Sequence, residues 1–268
     1  MPSCSGDRGH SRGVCRTYDD LVSDALLAPI RGWDFSWLTG RMDCDDLPWD
    51  YESLAREALP HATRLLDIDT GGGELLASLA PLPASIATEP YLPNVPIATA
   101  RLAPLGVDVR TGRASALPVA DGEVDLVLNR HGSLDATETA RVLTSQGVFL
   151  TQQVGSRNDL AFNDALDVPA PWPPDSHTLR SAVAELEDAG LVIDQAQEDY
   201  PLTRYFDVGA VVFQLRSVPW QVPGFEAGTS EEPLRCLDAH IRRTGSFDVQ
   251  NHRFLVRAHK RSPSAAGR

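Results

Sequence analysis

The stretch that most constrains this chain is Leu65-Leu66-Asp67-Ile68-Asp69-Thr70-Gly71-Gly72-Gly73-Glu74. An apolar run passes through two carboxylates and a block of glycines, then resumes as a helical pattern toward Leu79. A strand that enters a glycine turn and then a helix lets backbone approach a ligand closely, because side chains there would obstruct it. Glu89 closes a second apolar run, Ala84–Glu89, where a carboxylate can accept both hydroxyls of a ribose. Together these features predict a ligand built on a nucleoside.

Two observations narrow the ligand. A dinucleotide fingerprint needs a third glycine where this chain has Leu76, and Glu74 occupies the first helical turn, where it would repel a pyrophosphate. A phosphate loop of the Gly-Lys-Ser/Thr type is absent. S-adenosyl-L-methionine carries no phosphate, and its amino group and sulfonium are cationic, so Asp67 and its acidic neighbours suit it.

Beyond the turn, short apolar runs at Arg64–Ile68, Ala84–Glu89, 106–110, 124–129 and 147–154 alternate with helical segments, the rhythm of a doubly wound parallel sheet. Asp135 and Glu138 predict a capping box. Upstream, Leu21, Ala25 and Ala28 share a helical face, and Asp50 can cap a second helix carrying Leu54 and Ala58. Trp33, Trp37 and Trp49 fall around these helices, as core or as a lid. Downstream, 176–190 reads as a helix stopped by Gly190. Runs at 191–194, 205–215 and 253–259 read as strands, the last two as an antiparallel pair.

The 268 residues suffice for one large α/β domain with accessory pieces. Against 24 Lys and Arg stand 37 acids, a net charge of −13 that argues against a nucleic-acid backbone as main partner. No run reaches the roughly 18 to 20 apolar residues of a membrane span, and residues 1–16 lack the apolar core of a signal peptide. A cytoplasmic protein is expected. Cys4, Cys15, Cys44 and Cys236 form no C-x-x-C pair, and Cys4, His10 and Cys15 have the wrong spacing for zinc, so no metal site is expected.

In order and spacing, residues 64–154 resemble the class I S-adenosylmethionine-dependent methyltransferases, specifically a bacterial branch of the type 11 kind. Asp67, Asp69, Gly71 and Gly73 align with the family's D-x-G-x-G-x-G motif, with Asp69 standing where the family has its first glycine. Aspartate tolerates a left-handed backbone better than most residues, so the turn can survive. Glu89 resembles the ribose-binding acid, Pro90 and Tyr91 the residues packed on adenine, and Ala114 and Ser115 the segment over the adenine edge. Residues 124–127 and 142–150 resemble the fourth strand and the helix, turn and fifth strand that follow.

The resemblance implies a Rossmann-like, seven-stranded, mostly parallel sheet with helices on both faces and an antiparallel C-terminal strand. It implies a cofactor site of Asp67, Asp69, Gly71, Gly73, Glu89, Pro90, Tyr91, Ala114, Ser115 and Asn129, holding S-adenosyl-L-methionine and releasing S-adenosyl-L-homocysteine. Asn129-Arg130-His131-Gly132 would follow the fourth strand and face the transferred methyl. His131 is expected to act with Asn129 as a general base or positioning group, the alternative being that both only shape the pocket. Gln152, Gln153, His177, Tyr205, Asp207 and Trp220 are weaker candidates, and Arg101, Arg110 and Arg113 read as a solvated face.

The expected organisation is a tail (1–16), an N-terminal helical cap (17–60), a methyltransferase domain (61–260) with substrate elements within 155–252, and a second tail (261–268). The expected activity is methyl transfer to an O or N atom of a small-molecule acceptor. An RNA or protein acceptor, or a non-catalytic protein that binds the cofactor, are the rivals, and both monomer and homodimer stay open.

Overall fold

The computed structural model describes residues 16–30 and 34–261; the expected tails, the Cys4, His10 and Cys15 grouping, and Trp33 lie outside them, apart from Arg16 and Arg261. In chain order the N-terminal part holds α1 (Tyr18–Leu27), β1 (Met42–Cys44) and α2 (Tyr51–Ala58). The alternating part holds β2 (Arg64–Ile68), α3 (Glu74–Ser78), β3 (Ala84–Glu89), α4 (Val95–Leu102), β4 (Val107–Thr111), β5 (Val124–Arg130), α5 (Ala136–Val142) and β6 (Leu143–Val154). The last third holds α6 (Leu160–Ala165), α7 (Leu179–Asp188), β7 (Leu191–Asp199), β8 (Leu202–Tyr205), α8 (Val208–Ser217), α9 (Glu231–Thr244), β9 (Phe247–Gln250) and β10 (Arg253–Lys260).

The main sheet has seven strands in the order β4-β3-β2-β5-β6-β10-β7. β2 lies parallel to both β3 and β5, and β5 is parallel to β6. β10 runs antiparallel to β6 and to β7. The expected Rossmann-like sheet, with its antiparallel C-terminal strand, is therefore formed. Buried parallel strands read as continuous apolar runs because helices cover both faces. One face packs through Leu66, Val127, Phe149 and Val256 onto Leu186 of α7. The other packs through Leu65, Leu126, Leu150 and Leu255 onto Ala55 of α2 and Leu102 of α4.

A three-stranded antiparallel sheet, β1-β8-β9, stands apart from the main one. Beneath it lies a separate apolar cluster in which α1 supplies Leu21 and Ala25, α8 supplies Val211 to Phe213, and α9 supplies Leu234 and Ile241. Arg41 fastens this assembly through a bidentate pair, Nε to Asp207 Oδ2 at 2.8 Å and a terminal nitrogen to Oδ1 at 2.6 Å. The Arg41 guanidinium also covers the Trp37 ring, which stacks on Phe213.

Two expectations fail here. Residues 205–215 were read as a strand paired with 253–259, but 208–217 is helix α8, and β10 pairs with β6 and β7 instead. Asp207 caps α8 by accepting the Ala210 N–H at 2.9 Å. Val208, Ala210, Val211, Val212, Phe213 and Leu215 are all buried, and a helix apolar on every side shows no period that would distinguish it from a buried strand. The capping box at α5 is only half formed. Asp135 accepts the Glu138 N–H, but the Glu138 carboxylate turns away to the Leu117 N–H and to Arg141. The cap at α2 forms as read, with Asp50 accepting from Glu52 and Ser53.

Candidate active site

In an open parallel sheet the ligand crevice lies beyond the carboxyl ends of the strands, so the turns after β2, β3 and β5 define the site. Asp69 has φ +56°, and Gly71 and Gly73 have φ +63° and +79°. Aspartate thus keeps the left-handed turn. Its Oδ2 accepts the Ser133 N–H at 2.8 Å, tying the turn after β2 to the turn after β5. The tie requires Gly132, since a Cβ there would lie 2.7 Å from the Asp69 Cβ.

Glu89 joins the turns after β2 and β3. Its Oε2 accepts the Gly71 N–H at 2.7 Å and its Oε1 the Tyr91 N–H at 2.8 Å. The Asn94 side chain is a further donor to this carboxylate, which with three donors keeps room for another. Burial raises the pKa of Glu89, against those backbone bonds. Asp67, inside β2, is buried. Loss of water, helped by the charges of Asp69 and Glu89, lifts its carboxyl to about 7. Asp69 Oδ1, Thr70 Oγ1 and Thr88 Oγ1 are buried without a hydrogen-bond partner.

Pro90 and Tyr91 are exposed, as is Leu92 beside them, while Ala114 is buried and Ser115 exposed. Arg113 is exposed, whereas Arg110 is half-buried and donates to Asp108 and to Pro118 O. Arg101 differs from that expectation: it donates to the Gly72 carbonyl and pairs with Glu74. Glu74 therefore carries a counter-charge, which weakens the repulsion expected between it and a pyrophosphate.

At the end of β5, Asn129 is fully buried. Its Oδ1 accepts the Gly132 N–H and the Gln153 amide, each at 3.1 Å, and its Nδ2 donates to Ser133 O at 2.8 Å. It thereby folds the 129–133 turn. His131 has φ +63° and keeps contact with solvent. Its N–H donates to Gln152 O at 2.7 Å. Crowding around its ring, and then the charges of Arg253 and Arg130, lower its pKa from the ordinary imidazole value even though the residue is exposed.

Alternation along β6 separates the two glutamines. Gln153 faces Asn129, Thr151 and His177, whereas Gln152 faces His131 and Trp49. Tyr205 is buried against Phe162, Asp207 is spent on Arg41 and the α8 cap, and Trp220 is partly exposed. Trp49, expected as core or as a lid, is a buried neighbour of this turn through Gln152, and Arg253 is one to which the sequence gave no role. The Arg253 guanidinium donates to Asn158 Oδ1 and to His252 O. Trp49 lies 103 positions from its partner Gln152, a separation that no local pattern reports.

The sheet order defines a Rossmann-like fold. Among solved structures the chain is similar to YcgJ from Bacillus subtilis, at TM-score 0.58 and 19% identity over 80% of this chain and 99% of that one. It is similar to a candidate methyltransferase from Bacillus halodurans C-125, at TM-score 0.56 and 17% identity over 80% and 99%. It is also similar to the [4+2]-cyclase SpnF, at TM-score 0.52 and 16% identity over 91% and 94%. Neither a protein-family model nor a curated protein sequence matches the chain. At these identities the likeness shows the fold, and a cyclase among the neighbours illustrates that this fold carries more than one chemistry.

Proposed function

We propose that this protein binds S-adenosyl-L-methionine and transfers its methyl group to an O or N atom of a small-molecule acceptor, leaving S-adenosyl-L-homocysteine. The observation that carries the reading is the Glu89 carboxylate, which bridges the amides of Gly71 and Tyr91 across the turns after β2 and β3. The residues present fit the cofactor. Asp69 Oδ1 and Thr70 Oγ1 are acceptors without donors, which suits a cationic amino group, and exposed Tyr91 offers an apolar face to a base.

When bound, the cofactor supplies an electrophilic methyl and its own leaving group. Glu89 would accept the sugar hydroxyls through its spare lone pairs, and Asp67 and Asp69 would balance the positive charge. Pro90, Tyr91, Ala114 and Ser115 would enclose the adenine, with Gly71, Gly73 and Asn129 shaping the floor. His131 would border the acceptor and help to align it. In this reading residues 17–60 and 155–252 cap the acceptor side, and the protein works in the cytoplasm as a monomer or homodimer. Among the described residues no helix is long and apolar enough to cross a membrane.

Calorimetry with S-adenosylmethionine, S-adenosylhomocysteine, ATP and NAD tests the proposal. Binding of the first two alone is expected, and Glu89→Ala should weaken it by about tenfold or more, since a buried carboxylate's bonds contribute roughly 1.5–3 kcal/mol. Binding of NAD or ATP in their place would overturn it. Asp69 at a glycine position favours one second reading, a protein that binds the cofactor without turnover; binding with no methyl transfer across a broad panel of acceptors would support that instead.

A further inference from the structure

The neighbours of His131 fix which of its nitrogens holds a proton. Trp49 Nε1 lies 2.8 Å from Gln152 Oε1, and Gln152 Nε2 lies 2.8 Å from His131 Nε2. An indole N–H only donates, so it must meet the carbonyl end of the amide. The reverse orientation would set two donors against each other in a buried setting, since Trp49 and Gln152 are both buried. The NH2 end of Gln152 therefore points at His131, and an amide NH2 only donates. His131 Nε2 must accept, so it carries no proton, and in a neutral ring the proton sits on Nδ1.

We infer that Trp49 and Gln152 act as positioning residues that lock His131 as the neutral Nδ1–H tautomer, making it a hydrogen-bond donor to a ligand in the cleft and not a general base. The Nε2 lone pair is already engaged, and among the described residues Nδ1 has no hydrogen-bond partner. Sheet register supports the placement. Arg130 lies opposite Gln152 on β6, and Arg253 opposite Val154, two residues further along the same face. Two guanidinium groups on that face make a positive charge on the imidazole costly. The ligand atom that His131 meets is then an electron-rich oxygen, such as that of a carboxylate. The tautomer does not rest on the proposed reaction. Its consequence there is that an acceptor nucleophile loses its proton to some group other than His131.

Long-range proton–nitrogen correlation spectra of the full chain with 15N-labelled histidine test this, with His131 assigned by the signals lost in His131→Gln. The expected wild-type result is a protonated Nδ1, a bare Nε2 and no titration from about pH 8 down to about pH 5. In Gln152→Glu both side-chain oxygens accept, so His131 is expected to switch to the Nε2–H tautomer and to titrate at higher pH. A wild-type ring protonated on Nε2, or one titrating near its ordinary value of about 6.5, would overturn the inference. So would a folded Gln152→Glu protein whose tautomer is unchanged. If that variant does not fold, the wild-type spectrum alone decides.

Discussion

A carboxyl group raised to about 7 inside a fold makes two quantities depend on pH, and Asp67 is such a group. Its folded pKa lies above its unfolded one, so the folded state binds the extra proton between the two values. Stability at this site therefore falls as pH rises through that window, and the penalty is complete above about 7. The difference in urea stability between Asp67→Asn and the wild type should move in the variant's favour from about pH 5 to about pH 8, by a few kcal/mol at most at 1.36 kcal/mol per unit. A cationic ligand favours the ionised form, so affinity for S-adenosylmethionine should rise with pH and level off above about 7. A flat calorimetric titration series would count against Asp67 as its counter-charge. Gly73 offers a second test. Alanine there meets both φ +79° and the Leu102 side chain at 2.8 Å, whereas alanine at Gly245, φ +97°, meets nothing within 4 Å. Gly245→Ala should cost about 1 kcal/mol and Gly73→Ala about 2–3 kcal/mol in chemical denaturation. At this scale Asp67, the glycines and Glu89 could be read in the sequence because strand and turn chemistry is local. The partners of Asp69, His131 and Gln152 could not, because they come from elements and loops distant in the chain.

Elements were legible where a local signal marked them. Arg64–Ile68 and Ala84–Glu89 form as read because each apolar run is bounded by polar residues or proline. α8 was misread because its valines favour strands and its burial removes the helical period. Glu138 shows a subtler limit: its spacing from Asp135 fits a capping box, yet the competing partner, Arg141, comes from the next turn of the same helix. Arg141 also donates to Val119 O at 2.8 Å and to Leu117 O at 3.1 Å, so it pins the segment that would cover the adenine. Arg141→Met should cost about 2 kcal/mol through those orphaned carbonyls. Hydrogen exchange should speed up across residues 113–121 and leave β10 unchanged. Equal acceleration in both would show that the arginine merely adds global stability.

At the scale of the whole molecule, the chain builds apolar clusters on each side of the main sheet and a further one under the small sheet. The last depends on residues far apart in the chain, since α1 packs on α8 and β1 pairs with β8. Removing residues 1–47 should therefore not leave a trimmed but well-packed protein. It should expose Val211 and Phe213, with dye binding and light scattering rising while the main sheet keeps much of its circular dichroism. A monodisperse truncated protein that binds no dye would contradict that dependence. The parallel strand–helix alternation of the main sheet could be anticipated from the βα rhythm. The small sheet could not, because β1 and β9 are short and have no rhythm of their own.

One carboxylate oxygen, Oδ2 of Asp69, spans the two lips of the crevice. A glycine there has no side chain to make that tie, so the spacing of these two turns depends on the identity of this one residue as well as on the pairing of the strands beneath them.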